Sequence, residues 1–233
     1  MNHRICLYVG DARPLYEPEA FERLYQAASQ ERRAKTDRLR MKKDKCLSLC
    51  AESLLARACD DFGIAPGDRT LVLGRYAKPS FTATPVQFNL SHSGTRALCA
   101  MSDLAVGCDI EEVRGCKGRI AEHYFTDSEQ MLLADCPDEA SREAAFYRIW
   151  TLKESFLKCT GRGLSLPLSS FSVIPEEGGR ARVEQTYDEA RYALFEGELP
   201  TEGDEPAYRY ALCVRTEGEE EIDAPELVFV PAP

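Results

Sequence analysis

Hydrophobic and polar positions in the first third of the chain predict a strand, two helices and a further strand. RICLYV (4–9) is an apolar run of strand length, and PEAFERLYQAAS (18–29) has its apolar residues at helical spacing. A longer apolar stripe predicts a helix over 42–62, and Gly63 is suited to end it. LVLGRY (71–76) predicts a short strand, and KPS after it predicts a turn.

The middle of the chain predicts a turn and then two strands. FNLSHSG (88–94) ends in serine, histidine and glycine, which are typical turn residues. RALCAMS (96–102) and LAVGCDIEEV (104–113) are apolar runs with a short link between them. This spacing predicts that the two runs form a hairpin.

The second half of the chain predicts helices first and strands afterwards. Thr126 and Glu129 have capping-box spacing for a short helix that ends near Ala134. A strong helical pattern runs from about 141 to 160 and ends at GRG (161–163). Five later segments alternate like antiparallel strands: SFSVI, ARVEQ, YALFEGEL, YRYALCVR and ELVFVP. Both halves therefore combine helices with antiparallel strands, which is an α+β pattern.

Charge and cysteine content narrow the class of protein. The 233 residues carry 29 basic and 39 acidic side chains, a net charge of −10, which argues against nucleic-acid binding. No apolar run approaches the ~20 residues that span a bilayer, and the start has no secretory pattern, so we expect no membrane contact and a cytoplasmic location. The ten cysteines include no C-x-x-C pair and indicate small buried side chains in a reducing compartment.

The first chemically informative segment is GCDIEEV. In an extended strand Asp109 and Glu111 share one face, with Cα atoms roughly 7 Å apart, while Cys108 and Ile110 point the other way into a core. Two carboxylates on one face favour a cation between them, and oxygen ligands suit Mg²⁺ or Mn²⁺. The alternative is an exposed acidic strand face.

The second informative segment is the helix AFYRIWTLKESFLKCTGRG. Glu154 and Lys158 are one turn apart on the same stripe, which is also typical of an ordinary surface ion pair. Tyr147 and Trp150 on that stripe favour the wall of a cleft.

Two further segments indicate an anionic ligand. In NLSHSG, the side chains of Ser91, His92 and Ser93 and the backbone near Gly94 can bind an anion, although the serines can equally cap their own turn. The run from Arg32 to Lys45 has an excess of six positive charges in an acidic protein. It indicates a ligand with several phosphates or an acidic protein partner, or else a solvated helix face.

Together these segments resemble the 4'-phosphopantetheinyl transferases of the Sfp type, the surfactin-synthetase activators. The matching residues are FNLSHSG (88–94), VGCDIEEV (106–113) and FYRIWTLKESFLKCTGRGLSLPLSSFSV (146–173). The family pattern is G-x-D-x-E followed some 40 residues later by W-[ST]-x-K-E-[AS]-[FY]-x-K, and both parts occur here in order. The similarity covers most of the chain and weakens after about residue 175.

The resemblance implies a pseudo-twofold α+β fold with coenzyme A bound between two similar halves, 1–107 and 108–233. Asp109, Glu111 and Glu154 would hold Mg²⁺ or Mn²⁺, and Lys158 would contact the pyrophosphate. The phosphates of coenzyme A would also be bound by His92, by Ser48, and by Arg32 and Lys35, of which the last two would contact the 3'-phosphate. Lys78 and Ser91 would line the cleft that holds the cofactor. Two positions depart from the family. Ala77 replaces the usual Gly before Lys-Pro, and Leu47 stands where Arg is frequent, so that one phosphate contact is either missing or supplied by Lys43 or Lys45.

The implied reaction is Mg²⁺-dependent transfer of 4'-phosphopantetheine from coenzyme A to a serine of an apo carrier protein, with release of adenosine 3',5'-bisphosphate. Catalytic roles would fall to Glu154, Lys158 and His92, and either Glu154 or a metal-bound water would accept the serine proton. We expect a monomer that acts on peptidyl, aryl or acyl carriers of peptide or polyketide synthases, with fatty-acid carriers as a further class of acceptor. The alternatives are a Mg²⁺-dependent phosphohydrolase or nuclease and a non-catalytic module that binds coenzyme A or carrier proteins.

Overall fold

The chain folds as an α+β protein, as the sequence predicts. The computed structural model describes residues 3–115, 117–201, 203–216, 218 and 222–231. Its α-helices are α1 (Pro18–Ala27), α2 (Gln30–Arg38), α3 (Lys42–Asp61), α4 (Gly118–Tyr124), α5 (Asp127–Ala134) and α6 (Glu139–Thr160). Its strands are β1 (Ile5–Asp11), β2 (Leu71–Leu73), β3 (Pro79–Phe81), β4 (Gln87–Ser93), β5 (Arg96–Ser102), β6 (Val106–Glu112), β7 (Ser172–Pro175), β8 (Arg180–Glu184), β9 (Arg191–Glu198), β10 (Tyr208–Thr216) and β11 (Glu226–Val230).

The strands form two main sheets, each covered by one long helix. The first sheet has the order β11-β1-β5-β4 and the second β6-β10-β9-β8-β7, while β2 and β3 pair separately. Apolar residues of α3 pack on β1 and β5, and those of α6 pack on β6 and β10. A third core, with residues such as Leu7, Leu98, Cys108 and Leu212, joins strands of both sheets. Burial on both faces explains why the central strands are continuously apolar.

The two halves repeat one order of elements. β1 is followed by helices that end with α3 and then by the hairpin β4–β5, whose second strand pairs with β1. β6 is likewise followed by helices that end with α6, and the hairpin β9–β10 later returns its second strand to β6. This repetition gives the two similar halves of the expected fold. β6 spans the proposed boundary between 107 and 108, and β11 joins the first sheet, so the division by residue number stays a proposal.

Local sequence signals predicted the start of α5 and the end of α6. Thr126 and Glu129 form the predicted capping box, with the Thr126 backbone N–H donating to the Glu129 carboxylate at 2.8 Å. α6 ends at Gly161, whose φ of 67° is left-handed, as expected of the GRG segment. The cysteines are also as expected: of the nine described, all are free and only Cys136 is not buried, whereas Cys116 lies outside the described residues.

The predicted hairpin of 96–102 with 104–113 was wrong. β5 pairs with β4 and β1, whereas β6 pairs with β10. The short link instead carries the chain from one sheet to the other, so that Leu98 and Cys108 meet in the third core. Both runs are apolar at almost every position, and a pattern without alternation does not say which strand is the partner.

Two other strand predictions need correction. The serine and histidine of FNLSHSG belong to β4, and the turn begins only at Gly94, whose φ is 59°. β11 pairs with β1 in parallel and not in an antiparallel arrangement. In addition, none of the described helices combines the length and apolar character that crossing a membrane requires.

Candidate active site

The acidic face of β6 lies against α6. Asp109 and Glu111 are on one face of the strand, and Cys108 and Ile110 point into the core between the sheets, as the alternation predicts. A Cβ on Gly107 would lie 2.1 Å from the backbone N of Cys159 and 2.2 Å from the carbonyl O of Ser155. Glycine is therefore required here because the helix backbone crosses the strand in direct contact. This close packing brings the later half of α6 over the carboxylates.

Asp109 is the centre of the site. Its carboxylate is buried, with 4% of the residue exposed. Oδ1 accepts a hydrogen bond from Ser91 Oγ at 2.8 Å and another from Lys158 Nζ at 2.7 Å. Lys158 Nζ also donates to Ser91 Oγ at 3.0 Å. Asp109 thus joins β4, β6 and α6, and its Oδ2 is buried without a hydrogen-bond partner.

Polar side chains of β4 align that strand with β6. Ser93 Oγ donates to Glu111 Oε2 at 2.8 Å and accepts from the Glu112 backbone N–H at 3.1 Å. Asn89 Oδ1 accepts from the Cys108 backbone N–H at 2.9 Å. We call Asn89, Ser91 and Ser93 the polar seam. Its members are two residues apart, so one strand face carries all three.

Glu111 and Glu154 complete the acidic cluster. Burial raises the pKa of Glu111, and the nearby Asp109 carboxylate raises it further. Burial also raises the pKa of Glu154, with Asp109 adding to the effect and Lys158 opposing it. These shared influences place the three carboxylates within electrostatic range of one another.

Lys158 makes its ion pair across the site and not along its own helix. It bonds to Asp109, in place of the Glu154 partner that helical spacing offers. Burial acts to lower the pKa of Lys158, but the Asp109 carboxylate outweighs it, so that the pKa is raised. The ammonium is therefore positively charged in the neutral pH range.

Of the two aromatic residues on this helix stripe, Tyr147 is a core residue and not part of a cleft wall, whereas Trp150 is half-buried and lies beside Glu111. Tyr147 is fully buried, and its hydroxyl accepts from the Arg114 backbone N–H at 3.2 Å. Trp150 stacks on Phe146, with ring centroids 6.2 Å apart.

His92 and the basic residues lie on the side of the first half. Because side chains alternate along β4, His92 points away from the polar seam and is exposed. Desolvation by the surrounding protein lowers the pKa of His92, and the positive charges of Lys158 and Lys35 lower it further. His92 is therefore mostly neutral at neutral pH.

Arg32 and Ser48 are brought together between α2 and α3. Arg32 Nε pairs with Glu52 at 2.5 Å, and its Nη1 donates to Ser48 Oγ at 3.2 Å. Lys35 is exposed on the same helix as Arg32. Leu47 is buried in the core that α3 forms with β1 and β5. An arginine at position 47 would therefore place its charge in an apolar core unless the helix face changed.

Lys78 reaches the far end of α6. Its Nζ donates to the carbonyl oxygens of Val106 at 2.8 Å, Lys158 at 2.7 Å and Cys159 at 3.2 Å. Burial lowers the pKa of this ammonium. Ala77, just before it, has a φ of 61° and so takes the left-handed conformation that glycine adopts without strain.

The structure therefore gathers Ser91, Asp109, Glu111, Glu154 and Lys158, and the charges of Lys35 and Lys158 act on His92. Sequence reasoning missed the roles of Asn89 and Ser93. Their spacing of two residues on either side of Ser91 could have shown them, had the segment been predicted as a strand.

The carboxylates offer a metal the right chemistry without a preformed cage. In the part of the chain that the structure describes, no group of three or more His, Cys, Asp or Glu side chains is arranged so that it could hold an ion as it stands. Yet Asp109 Oδ2 is buried without a partner, beside two carboxylates whose pKa values are raised. Hard oxygen donors of this kind fit Mg²⁺ or Mn²⁺.

Comparison with known proteins identifies the family. The model of the 4'-phosphopantetheinyl transferase superfamily matches residues 105–213, which contain β6 and α6. A 4'-phosphopantetheinyl transferase of Bacillus subtilis is 37% identical over 175 residues, or 74% of this chain and 77% of the relative. The transferase Sfp of Bacillus subtilis strain 168 is 33% identical over 204 residues, or 86% of this chain and 88% of the relative.

Among solved structures, the holo-[acyl-carrier-protein] synthase of Thermotoga maritima matches with 21% identity and a TM-score of 0.36, covering 50% of this chain and 66% of the synthase. The two relatives from Bacillus confirm the resemblance found in the sequence motifs. The chain belongs to the 4'-phosphopantetheinyl transferase superfamily and is a transferase of the Sfp type.

Proposed function

We propose that this transferase takes 4'-phosphopantetheine from coenzyme A, attaches it to a serine of an apo carrier protein and releases adenosine 3',5'-bisphosphate. The observation that carries the proposal is the contact of Ser91, Asp109 and Lys158, where the two halves of the fold meet. It combines a fixed positive charge with buried carboxylates, which suits the handling of a pyrophosphate.

Coenzyme A phosphates would bind on the side of the first half. Lys35 is exposed, and Arg32 holds Ser48 through a hydrogen bond, so that these three residues can meet the 3'-phosphate and a neighbouring phosphate oxygen. His92 would donate one N–H to a phosphate from its neutral form. Lys158 would contact the pyrophosphate, and Ser91 and the segment around Lys78 would line the cleft.

Asp109, Glu111 and Glu154 would hold Mg²⁺ or Mn²⁺. When bound there, the cation would neutralise charge on the pyrophosphate oxygens. The raised pKa values of Glu111 and Glu154 support this role, because a cation would relieve the repulsion among the three carboxylates.

The chemical step is a displacement at the β-phosphorus of coenzyme A. The serine oxygen of the carrier forms a bond to this phosphorus, and the bond from phosphorus to the bridging oxygen breaks. The bridging oxygen leaves with adenosine 3',5'-bisphosphate, and the Lys158 ammonium stabilises the charge that develops beside it. Glu154 accepts the serine proton directly or through a water molecule.

The acceptors are proposed to be peptidyl, aryl or acyl carrier proteins of peptide and polyketide synthases. The exposed basic residues of α2 would attract the acidic surface that such carriers present around their serine. We further propose that the enzyme acts as a monomer in the cytoplasm. A net charge of −10 disfavours nucleic acid as a partner.

The first test measures the intact mass of an apo peptidyl carrier protein after incubation with enzyme, coenzyme A and Mg²⁺. We expect a gain of one phosphopantetheine, lost with EDTA and reduced at least about 100-fold by Asp109→Ala or Glu154→Gln. Asp135→Ala, which changes an exposed carboxylate outside the site, is the matched control and should retain full activity.

Three outcomes would contradict the proposal. Full activity of Asp109→Ala would remove the metal assignment. Release of phosphopantetheine without any carrier would indicate a hydrolase, and binding of coenzyme A without transfer to peptidyl, aryl or acyl carriers would indicate a binding module.

A further inference from the structure

Lys78 uses its whole hydrogen-bonding capacity inside the protein. An ammonium has three N–H donors, and those of Lys78 meet three backbone carbonyls, of Val106, Lys158 and Cys159. The stem of the side chain also lies on Gly161, where a Cβ would be 3.3 Å from Lys78 Cδ. A phosphate could reach this ammonium only after these hydrogen bonds had broken.

The three carbonyls mark the point where α6 and β6 are joined. Val106 is the first residue of β6, and Lys158 and Cys159 lie in the last turn of α6. Carbonyls of a last turn have no partner within their own helix, and a positive charge there also interacts favourably with the helix dipole. Lys78 thus satisfies backbone groups of two elements that belong to the second half.

The loop that carries Lys78 is set up for this reach. The Gly74 backbone N–H donates to the Lys78 carbonyl and the Ala77 backbone N–H to the Gly74 carbonyl, both at 2.9 Å. The left-handed φ of Ala77 then turns the chain, so that Lys78, directly before β3, faces the second half. A residue of the first half therefore holds the catalytic helix in place.

The hydrogen bonds of Lys78 also affect the active site through Lys158. The carbonyl of this residue is bound by Lys78, while its side chain reaches Asp109 and Ser91. Val106, whose carbonyl also accepts a hydrogen bond from Lys78, directly precedes Gly107. The contact of Gly107 with α6 sets the distance between strand and helix. Any shift of the α6 end is therefore transmitted to the Lys158 ammonium.

We propose that Lys78 is a positioning residue, whose ammonium fixes α6 against β6 and so orients Lys158, and that it does not bind the 3'-phosphate of coenzyme A. The inference rests on the proposed role of Lys158 at the pyrophosphate. It assigns Lys78 to the geometry of the reaction, whereas Lys35 keeps the proposed contact with the 3'-phosphate.

The test compares Lys78→Met with Lys35→Met, using coenzyme A and 3'-dephospho-coenzyme A as donors. We expect Lys78→Met to lower kcat on the order of 10- to 100-fold with both donors, because a misplaced Lys158 affects the shared pyrophosphate. The donor ratio, which is kcat/KM for coenzyme A divided by kcat/KM for 3'-dephospho-coenzyme A, should stay within about twofold of that of the unchanged enzyme. Lys35→Met should instead lower the kcat/KM for coenzyme A relative to that for 3'-dephospho-coenzyme A, because it removes the proposed contact with the 3'-phosphate.

A second readout needs no activity. Amide hydrogen exchange at 157–162 in the free protein should become faster in Lys78→Met and remain unchanged in Lys35→Met. Lys78→Gln, which keeps two N–H donors, should restore part of the protection and part of kcat, and it serves as the reporter if Lys78→Met does not fold.

The proposal is overturned if Lys78→Met lowers the donor ratio as a lost phosphate contact would, or if its kcat and exchange rates equal those of the unchanged enzyme. Failure of the proposed function is a different result, in which the unchanged enzyme itself transfers nothing from coenzyme A.

Discussion

At the scale of single residues, Ala77 carries a backbone conformation that disfavours its own side chain. Its φ is 61°, and a Cβ in this region costs roughly 1–2 kcal/mol. The hairpin loop tolerates this cost because its turn places Lys78 against α6. The family's usual glycine at this position has a direct physical explanation in this left-handed residue.

We expect Ala77→Gly to stabilise the protein by up to about 1 kcal/mol, since relief of strain exceeds the entropy that glycine adds to the unfolded chain. Urea unfolding measures the change. Ala65→Gly is the matched control, because Ala65 is also exposed and has an ordinary φ of −63°. Equal loss of stability in both variants would show that position 77 is not strained.

Sequence reasoning reached the carboxylates of the site but not their hydrogen-bond partners. Alternation along one strand is a local property, so the shared face of Asp109 and Glu111 could be predicted. The bonds from Ser91 and Ser93 to those carboxylates depend on the edge of β4 meeting β6, a contact between residues 18 apart that no local pattern encodes. The carbonyl partners of Lys78 were hidden for the same reason.

At the scale of elements, a fully buried ion pair ties α5 to α6. The ammonium of Lys153 donates to both oxygens of Glu129 and to the Phe171 carbonyl, each at 2.7 Å. Glu129 also accepts from the backbone N–H groups of Thr126 and Val173, both at 2.8 Å. The Glu129 carboxylate thus serves the capping box and fixes the rotation of α6, which turns the adjacent Glu154 toward β6.

We expect Lys153→Met to lower the free energy of unfolding by about 3–5 kcal/mol, because it leaves the Glu129 charge buried and unpaired. The double variant Lys153→Met/Glu129→Gln should lose clearly less than the single one, since no charge remains. A double-mutant cycle in urea measures this coupling. Additive losses would mean that the two side chains do not interact as the structure indicates.

Helices were easier to predict than the pairing of strands. Their periodicity and caps lie within a few residues, so the ends of α3 and α6 fall close to the positions that the sequence predicts. Strand pairing is set by distant segments. β5 and β6 were therefore wrongly paired with each other, and the parallel contact of β11 was not foreseen.

At the scale of the whole molecule, a charge network holds the two halves together beside the seam. Glu205, in the loop between β9 and β10, pairs with Arg13 at 2.5 Å and Arg96 at 2.9 Å. Asp11 pairs with the same arginines, at 2.6 Å and 2.9 Å. Hydrogen bonding from Arg13 lowers the pKa of Glu205. Burial acts to raise the pKa of Asp11, but Arg13 and Arg96 outweigh it and lower the pKa.

The network predicts a loss of stability in acid. Carboxylates with a lowered pKa in the folded state bind fewer protons than the same groups in the unfolded chain, and therefore stabilise the fold. Their contribution to the free energy of unfolding is complete above the ordinary pKa values of 3.8 for Asp11 and 4.5 for Glu205. It disappears as the pH falls through the lower pKa values of the folded state. The free energy of unfolding should decline below about pH 5, and less steeply in Asp11→Asn or Glu205→Gln. Urea unfolding at several pH values tests this, and variant curves parallel to that of the unchanged protein would contradict it.

The parallel contact of β11 with β1 has a consequence for the timing of synthesis. Cys6 pairs with Glu226, 220 residues further along the chain. At the usual rates of translation, β1 leaves the ribosome roughly 10 to 45 s before the strand that covers its outer edge. Throughout that interval the outer edge of this apolar strand is unpaired, and neighbouring nascent chains can join it. The first sheet therefore keeps an open edge until β11 has been made.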